Sequence, residues 1–392
     1  MSPDPPTAGD RSPASARVAL LTNFIAPYRI PLFRMLRDEF GALRVFLSTP
    51  MEPNRAWRPD WSDLDVRVLS SVTLRRTARH PHDFSEPLYV HLPVGAPREL
   101  WRYRPDVVIS GQLGLGSTLS ALYCRLRRGA SLVLWLTLSE VSELGRGRLR
   151  VALRRWLLAR ADAVMVNGES GARYAESLGT PPDRIFRIYQ TVDIEKFRVA
   201  AERSADAARR LLIVGSGEPR KGLRPFLEKL GRWVAANAER RVELWIAGAT
   251  EEAVGAAPLS LPDGLTLRWL GHVAYDDLPG LYAEAGMLAF PTLADEWGLV
   301  VNEALAAGLP VLGSRYSQAV EELIEDGATG WTFRPDHPDE CADALDRAFA
   351  TDGDELARMR ERCRQRISRL RIEDVVERML RAVAFARNRR GR

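Results

Sequence analysis

The stretch GMLAFPTLADEWGLVVNEALAAGLPVLGS, residues 286–314, decides the fold. It opens on a short apolar run, GMLAFP (286–291), that proline stops, and TLADE follows as a loop. A helix is predicted from near Gly298 to Gly308, and LPVLGS (309–314) is a second apolar run. Apolar runs without polar alternation suit parallel strands covered on both faces, and a helix between two of them is a crossover unit. Asp295, Glu296 and Glu303 do not suit that frame. A buried element does not take carboxylates without a task for them.

The same unit repeats on both sides. RRLLIVGSG (209–217), VELWIAG (242–248) and LTLRWLG (265–271) precede it, each followed by helix-compatible sequence. An earlier series runs through RVALLTN (17–23), LRVFLS (43–48), DVRVLS (65–70), RPDVVISG (104–111), SLVLWLT (131–137) and ADAVMVNG (161–168). The chain has 392 residues, too many for one ordinary core. The expectation is an α/β protein of two Rossmann-like, doubly wound domains facing a central cleft. Residues 1–16 read as a disordered lead-in, 17–195 as the first domain, 196–209 as a polar, alanine-rich linker and 210–370 as the second domain. Residues 371–392 read as a C-terminal helix and tail.

Composition excludes several classes. The chain is 46% hydrophobic and 27% charged, as globular proteins are. Its longest apolar runs, such as SLVLWLTL (131–138), fall far short of the roughly 20 residues that span a bilayer. The N-terminal segment has no apolar signal core, and Cys124, Cys341 and Cys363 are too widely spaced for a disulfide framework or a zinc site. A reducing, cytoplasmic location is expected. The net charge is +5, carried almost entirely by arginine; Lys196, Lys221 and Lys229 are the only lysines. The basic clusters at 145–160 and 387–392 suit either solvated helix faces or peripheral contact with the anionic inner face of a membrane. Neither carries the interleaved aromatics of a nucleic-acid reader, so no nucleic-acid partner is expected.

Two motifs follow strands, where ligands of open α/β sheets bind. In LIVGSGEPRKG (212–222) the turn at Gly215 and Gly217 exposes amides beside Arg220 and Lys221, an anion-attracting combination. In the opening stretch, the amides of Gly298, Leu299 and Val300 begin a helix and present donors to an anion. Glu303 then lies about 7 Å along the axis, and Asp295 lies in the loop on the near side. Carboxylates flanking a bound diphosphate can accept from hydroxyls on either side of it, the layout of a nucleotide sugar.

These residues resemble the donor domain of the retaining glycosyltransferase family 4, of GT-B fold. DEWGLVVNEALAAGLPVLGS, with GHVAYDDLPGLYAEAGMLAFPTLADE before it and EELIEDGATGWTF after it, carries the strongest likeness, over about 210–335. RYRPDVVISG, LLARADAVMVNGESGARYAESLG and RIYQTVDIEKF extend it more weakly over 17–197. Asp295 and Glu303, separated by seven residues, match the family's glycogen-synthase-like acidic pair. The resemblance implies an acceptor-side first domain, a donor-binding second domain and a C-terminal helix crossing back to the first. It implies Glu303 on the nucleotide ribose, Asp295 on the donor sugar, Lys221 and Arg220 on the diphosphate, and His272–Val273 near the base. It further implies transfer from a nucleoside-diphosphate sugar to a hydroxyl of a polysaccharide, lipid-linked glycan or natural product. No cofactor or metal is expected, since no Asp-x-Asp strand end is present.

The departures are specific. The first acidic position is Asp where the family has Glu, and Glu296 next door can take its role. Ser216 stands where an arginine is common, and TNFIAPYRIPLF (22–33) replaces a glycine-rich loop. TLSEVSE (137–143) replaces a histidine, leaving Glu140, Glu143, Tyr28 and Arg29 as expected acceptor contacts, although SE before an Arg-rich helix is equally a cap. These departures keep a second reading open: a non-catalytic, nucleotide- or glycan-binding partner subunit. His80, His82 and His91 lie in a proline-punctuated stretch with no metal-ligand spacing and read as solvated loop residues.

Overall fold

The computed structural model describes residues 13–390 except 54–56, 58, 83, 112, 146, 199–204 and 256–260. Most of the expected lead-in, the middle of the expected linker, and Arg146 and the last two residues of the basic clusters lie outside the described residues. Two compact units divide the chain. The first comprises residues to Thr77, Pro87–Tyr189 and Ile372 to the end; the second comprises Ala78–Glu86 and Gln190–Arg371.

The first unit is built on a parallel sheet of β1 (Arg17–Thr22), β2 (Ala42–Leu47), β3 (Val66–Val68), β6 (Val107–Ser110), β7 (Ser131–Leu136), β8 (Ala163–Val166) and β9 (Ile185–Arg187), in the order β3-β2-β1-β6-β7-β8-β9. Between β3 and β6, β4 (Val72–His80) and β5 (Phe84–Leu92) form a separate two-stranded sheet. Successive residues of the central strands serve opposite faces, as the two-residue period requires. Val18 and Leu20 pack with Phe33, Leu36 and Met379 on one side, while Ala19 and Leu21 pack with Leu100, Cys124 and Leu157 on the other.

The second unit holds β10 (Arg210–Val214), β11 (Val242–Ala247), β12 (Leu265–Gly271), β13 (Met287–Phe290), β14 (Val311–Ser314) and β15 (Gly330–Phe333), parallel and in the order β12-β11-β10-β13-β14-β15. This is the expected doubly wound order, and its direction reverses between β10 and β13. Both sequence motifs leave the strands that flank that reversal.

Two expectations need correction. The units part at Tyr189/Gln190, so the segment read as a linker lies within the second unit. The short helix Ile194–Phe197 is capped by the Asp193 side chain, and Phe197 is buried with its ring 5.5 Å from Tyr275 and 5.7 Å from Tyr282. One aromatic anchor outweighs the polar composition around it. The histidine-bearing stretch is not a solvated loop: His80 and His91 are buried on β4 and β5. β4 (VTLRRTARH) is exposed over most of its length, so no apolar face marks it in the sequence.

The C-terminal helix Ile372–Arg390 belongs to the first unit, burying Val375, Val376, Met379, Ala382, Val383 and Ala386 in its core. The Ser131 hydroxyl donates to the Ala386 carbonyl at 3.1 Å, and Arg390 Nε donates to Asp162 at 2.9 Å. Among the described residues no helix is long and apolar enough to cross a membrane. Met379→Ala, at a fully buried position, is expected to lower unfolding free energy by about 2–5 kcal/mol in urea titration.

Candidate active site

The site grows from two loops at the reversal of strand order. After β10 the chain passes Gly215 and Gly217, makes a 3-10 turn at Pro219–Lys221, and starts the helix Leu223–Ala235 at Gly222. Gly222 has φ +68°, and a Cβ there would lie 2.2 Å from the Pro291 carbonyl oxygen, so the β13 loop can approach only a glycine. The loops are joined through the Arg220 carbonyl, which accepts from Leu293 N–H at 2.9 Å and from the Thr292 hydroxyl at 3.1 Å.

The β13 loop ends at Gly298 (φ +105°), where the helix Leu299–Ala306 begins. The expected helix limits hold within two residues. A Cβ at Gly298 would meet the Phe290 ring at 2.6 Å, so the helix start lies tight against the strand end. Val301 N–H donates to the Gly298 carbonyl at 2.9 Å, and the amides ahead of it have no carbonyl a turn earlier to receive them.

Asp295 is the hub. Its Oδ2 accepts from Lys221 Nζ at 2.6 Å and from Arg220 at 3.4 Å, while Oδ1 accepts from the Trp297 amide at 3.3 Å. Arg220 also reaches Glu218 at 3.3 Å. Burial raises the Asp295 carboxyl, but the Lys221 and Arg220 charges outweigh it and the net shift is down. Burial dominates at Lys221 and lowers its ammonium despite Asp295. Glu296 is exposed and touches this network through its backbone, its carbonyl accepting from Gln318 at 2.6 Å.

Glu303, fifth residue of the helix, is buried, and its Oε2 accepts from the Tyr282 hydroxyl at 2.7 Å. Burial pushes its carboxyl up to about 7, against the opposing pull of Tyr282 and Lys196. Gly215 donates its N–H to the Ala247 carbonyl at 2.9 Å. His272 and Val273 follow β12, two strands from β10 on the same sheet edge. Among the described residues no three His, Cys, Asp or Glu side chains converge as metal ligands.

A family described as Glycosyl transferases group 1 matches residues 208–351, and one described as Glycosyl transferase 4-like domain matches residues 5–190. The chain has the GT-B fold, and the two glycosyl transferase family models match consecutive stretches of it. It is 29% identical to the D-inositol 3-phosphate glycosyltransferase of Mycobacterium tuberculosis, across 50% of this chain and 43% of that one. The match therefore spans less than half the length of this curated relative. Its fold is similar to that of HepE from Anabaena, crystallised with UDP (TM-score 0.67, 16% identity, 94% of this chain and 99% of that one). The sucrose-phosphate synthase of Thermosynechococcus elongatus is comparable (TM-score 0.64, 17% identity, 93% and 97%).

The residues expected on the acceptor side are each engaged in contacts of their own. Tyr28 and Arg29 follow β1, with the Arg29 guanidinium 4.6 Å above the Trp135 ring and Tyr28 edge-on to Trp57 at 6.4 Å. Glu140 lies after β7 and is ion-paired to Arg173 at 2.8 Å. Glu143 is corrected to a structural role: it is buried in an ion pair with Arg154, whose guanidinium also donates to the Tyr174 hydroxyl at 2.7 Å.

Sequence reasoning missed Tyr282, Trp297 and Asn302. Trp297 Nε1 donates to Asn302 Oδ1 at 2.8 Å, and Asn302 donates to the Gln190 carbonyl at 3.0 Å. A buried Asn beside Glu303 on an apolar helix was the available signal. Glu143→Ala, which strands a buried guanidinium, is expected to cost about 3–5 kcal/mol of stability, whereas Glu140→Ala should cost less than about 1 kcal/mol. Chemical denaturation of both variants checks the contrast.

Proposed function

We propose that this protein transfers a sugar from a nucleoside-diphosphate sugar to an acceptor hydroxyl with retention of anomeric configuration. The observation that carries the reading is the Lys221–Asp295–Arg220 cluster beside the first turn of the helix Leu299–Ala306. Lys221, Arg220 and the amides of Gly298, Leu299 and Val300 bind the diphosphate and stabilise the charge that develops as it leaves. Glu303 accepts from ribose hydroxyls and Asp295 from donor-sugar hydroxyls, in preference to Glu296, because the Asp295 carboxylate is paired with Lys221 and Arg220 at the centre of the loop. Gly215 and Gly217 keep the β10 turn low beneath the donor, and His272–Val273 lie toward the base. The acceptor hydroxyl attacks the face from which the diphosphate leaves, a leaving-group oxygen taking its proton, so no protein nucleophile is required. Tyr28, Arg29 and Glu140 are assigned to the acceptor. Its class is a polysaccharide, lipid-linked glycan or natural product, met in the cytoplasm.

Peripheral contact with an anionic membrane face is part of the same proposal. It is supported by exposed Arg148, Leu149 and Arg155 on the helix Arg148–Leu158. The second reading, a binding subunit without catalysis, draws on Ser216 and the histidine-free 137–143 loop; it predicts nucleotide binding with no donor hydrolysis.

A thermal-shift panel of UDP-, GDP-, ADP- and dTDP-sugars identifies the donor, and release of nucleoside diphosphate from it reports turnover. Lys221→Ala is expected to lower kcat by about 10²–10³ while the protein remains folded; near-parental turnover would overturn the assignment. Donor binding should weaken as pH falls through about 7, because protonation of Glu303 removes a carboxylate acceptor. The stability effect has the opposite sense. The folded-state value is raised, so this group's contribution is present below its unfolded value of 4.5 and is lost as pH rises through about 7. Calorimetric titration of the nucleoside diphosphate between pH 6 and 8 checks the first effect, and Glu303→Gln should flatten the profile.

A further inference from the structure

The turn Ala78–Glu86 belongs to the second unit, and its described rings form a stack. His80 lies on Phe84 at 4.5 Å and 14°, and His82 lies on His80 at 5.1 Å and 19°. The His82 amide donates to His80 Nδ1 at 3.2 Å, so the inner imidazole spends a ring nitrogen on the turn itself. His80 and Phe84 are buried. The outer ring, His82, sits 4.6 Å from the ring of Tyr316, and its Nδ1 lies 3.7 Å from Asp336. The Tyr316 hydroxyl donates to the other oxygen of Asp336 at 2.7 Å. Tyr316 is thus held by a ring tilted 47° against its own and by a carboxylate at its tip.

The backbone of Tyr316 connects this clamp to the chemistry. Its carbonyl accepts from the Asp295 amide at 3.0 Å, and Ser317 pairs with Asp295 in an isolated parallel bridge. The Ser317 hydroxyl donates to the Trp297 carbonyl, so segment 315–317 supports the Asp295 loop at two successive points. Asp295 in turn holds Lys221.

We infer that His82, acting with Tyr316 and Asp336, is a positioning residue of the donor site: its ring fixes Tyr316, whose carbonyl sets Asp295 and, through it, Lys221. The inference rests on the donor reading of the Lys221–Asp295 pair given above. Segment 315–317 has backbone bonds of its own, Arg315 N–H to the Phe333 carbonyl at 2.9 Å and Ser317 N–H to the Ser314 carbonyl at 3.2 Å. Loss of the clamp therefore relaxes the register of the Asp295 loop without dissolving it. A displacement of about 1 Å at reacting groups costs up to about a hundredfold in rate, so a loop that stays folded can still lose turnover. Glu303, which meets the ribose on that reading, is held by Tyr282 and not by this segment, so the nucleoside end of the donor is less affected than the diphosphate end at Lys221.

The test compares the parent with His82→Ala, His82→Phe and Tyr316→Ala. The donor sugar giving the largest thermal shift is used for hydrolysis kinetics, and its nucleoside diphosphate, without sugar, for calorimetry. His82→Ala and Tyr316→Ala should lower kcat at least fivefold, with the Kd for the nucleoside diphosphate raised by a smaller factor. His82→Phe, which keeps a ring on Tyr316, should restore kcat to within twofold. An active parent with unchanged kcat in His82→Ala overturns the inference alone. So does a joint loss of kcat, nucleotide binding and thermal stability that His82→Phe does not rescue, since that is a merely structural role. A parent that neither binds nor hydrolyses any donor overturns the donor reading, and the inference falls with it.

Discussion

One carboxylate oxygen, Asp295 Oδ2, ties together the two loops that leave β10 and β13, by accepting from Lys221 and Arg220. Both sides of that tie are withdrawn from water, and buried charges are tolerated only in pairs. The surrounding backbone exists to keep the pair within reach. Gly222 lets the Pro291 carbonyl approach closer than any side chain would permit, and the Arg220 carbonyl accepts from two successive residues of the opposite loop. A displaced loop would leave a cation and a carboxylate unpaired together, so the geometry of the reversal point is cooperative.

The charges of this cluster cancel: Glu218 and Asp295 stand against Arg220 and Lys221. The cations are therefore held in place before any ligand arrives and are not a standing excess of positive charge. On the proposed donor reading, an incoming diphosphate competes with Asp295 for Lys221. Its capture releases carboxylate lone pairs at the moment donor-sugar hydroxyls come within reach. The pair to Lys221 also brings the short Asp295 carboxylate to the centre of the loop.

How much of this was legible in the sequence follows from the range of each interaction. The strands and crossover helices were readable because continuous apolar runs such as SLVLWL and RLLIV have few other uses. Asp295 and Glu303 stood out because a carboxylate in an apolar frame is locally conspicuous, and Lys221 because a rare lysine beside Arg220 follows a glycine turn. Tyr282 was not, since an aromatic residue on a short helix looks the same whether it fills a core or donates to a carboxylate 21 residues away. The unit boundary was misplaced because Phe197 is one apolar residue among polar ones. The β4–β5 sheet was missed because most of β4 faces solvent. Glu143 looked available because its partner, Arg154, sits in a helix whose many arginines resemble a solvated face.

The helix Leu299–Ala306 gathers these threads. Its consecutive residues Asn302 and Glu303 are both buried and satisfied by different partners: Asn302 by Trp297 and the Gln190 carbonyl, Glu303 by Tyr282. Two adjacent side chains leave a helix about 100° apart, so they fix its rotation about its own axis as one could not. Rotation is the degree of freedom that aims first-turn amides and the Glu303 carboxylate. The apolar Leu299, Val300, Val301 and Ala304 can slide against a core with little penalty, whereas two buried polar groups cannot turn without losing their partners. Polar residues in this apolar frame thus orient the helix, and on the proposed reading Glu303 serves the donor as well.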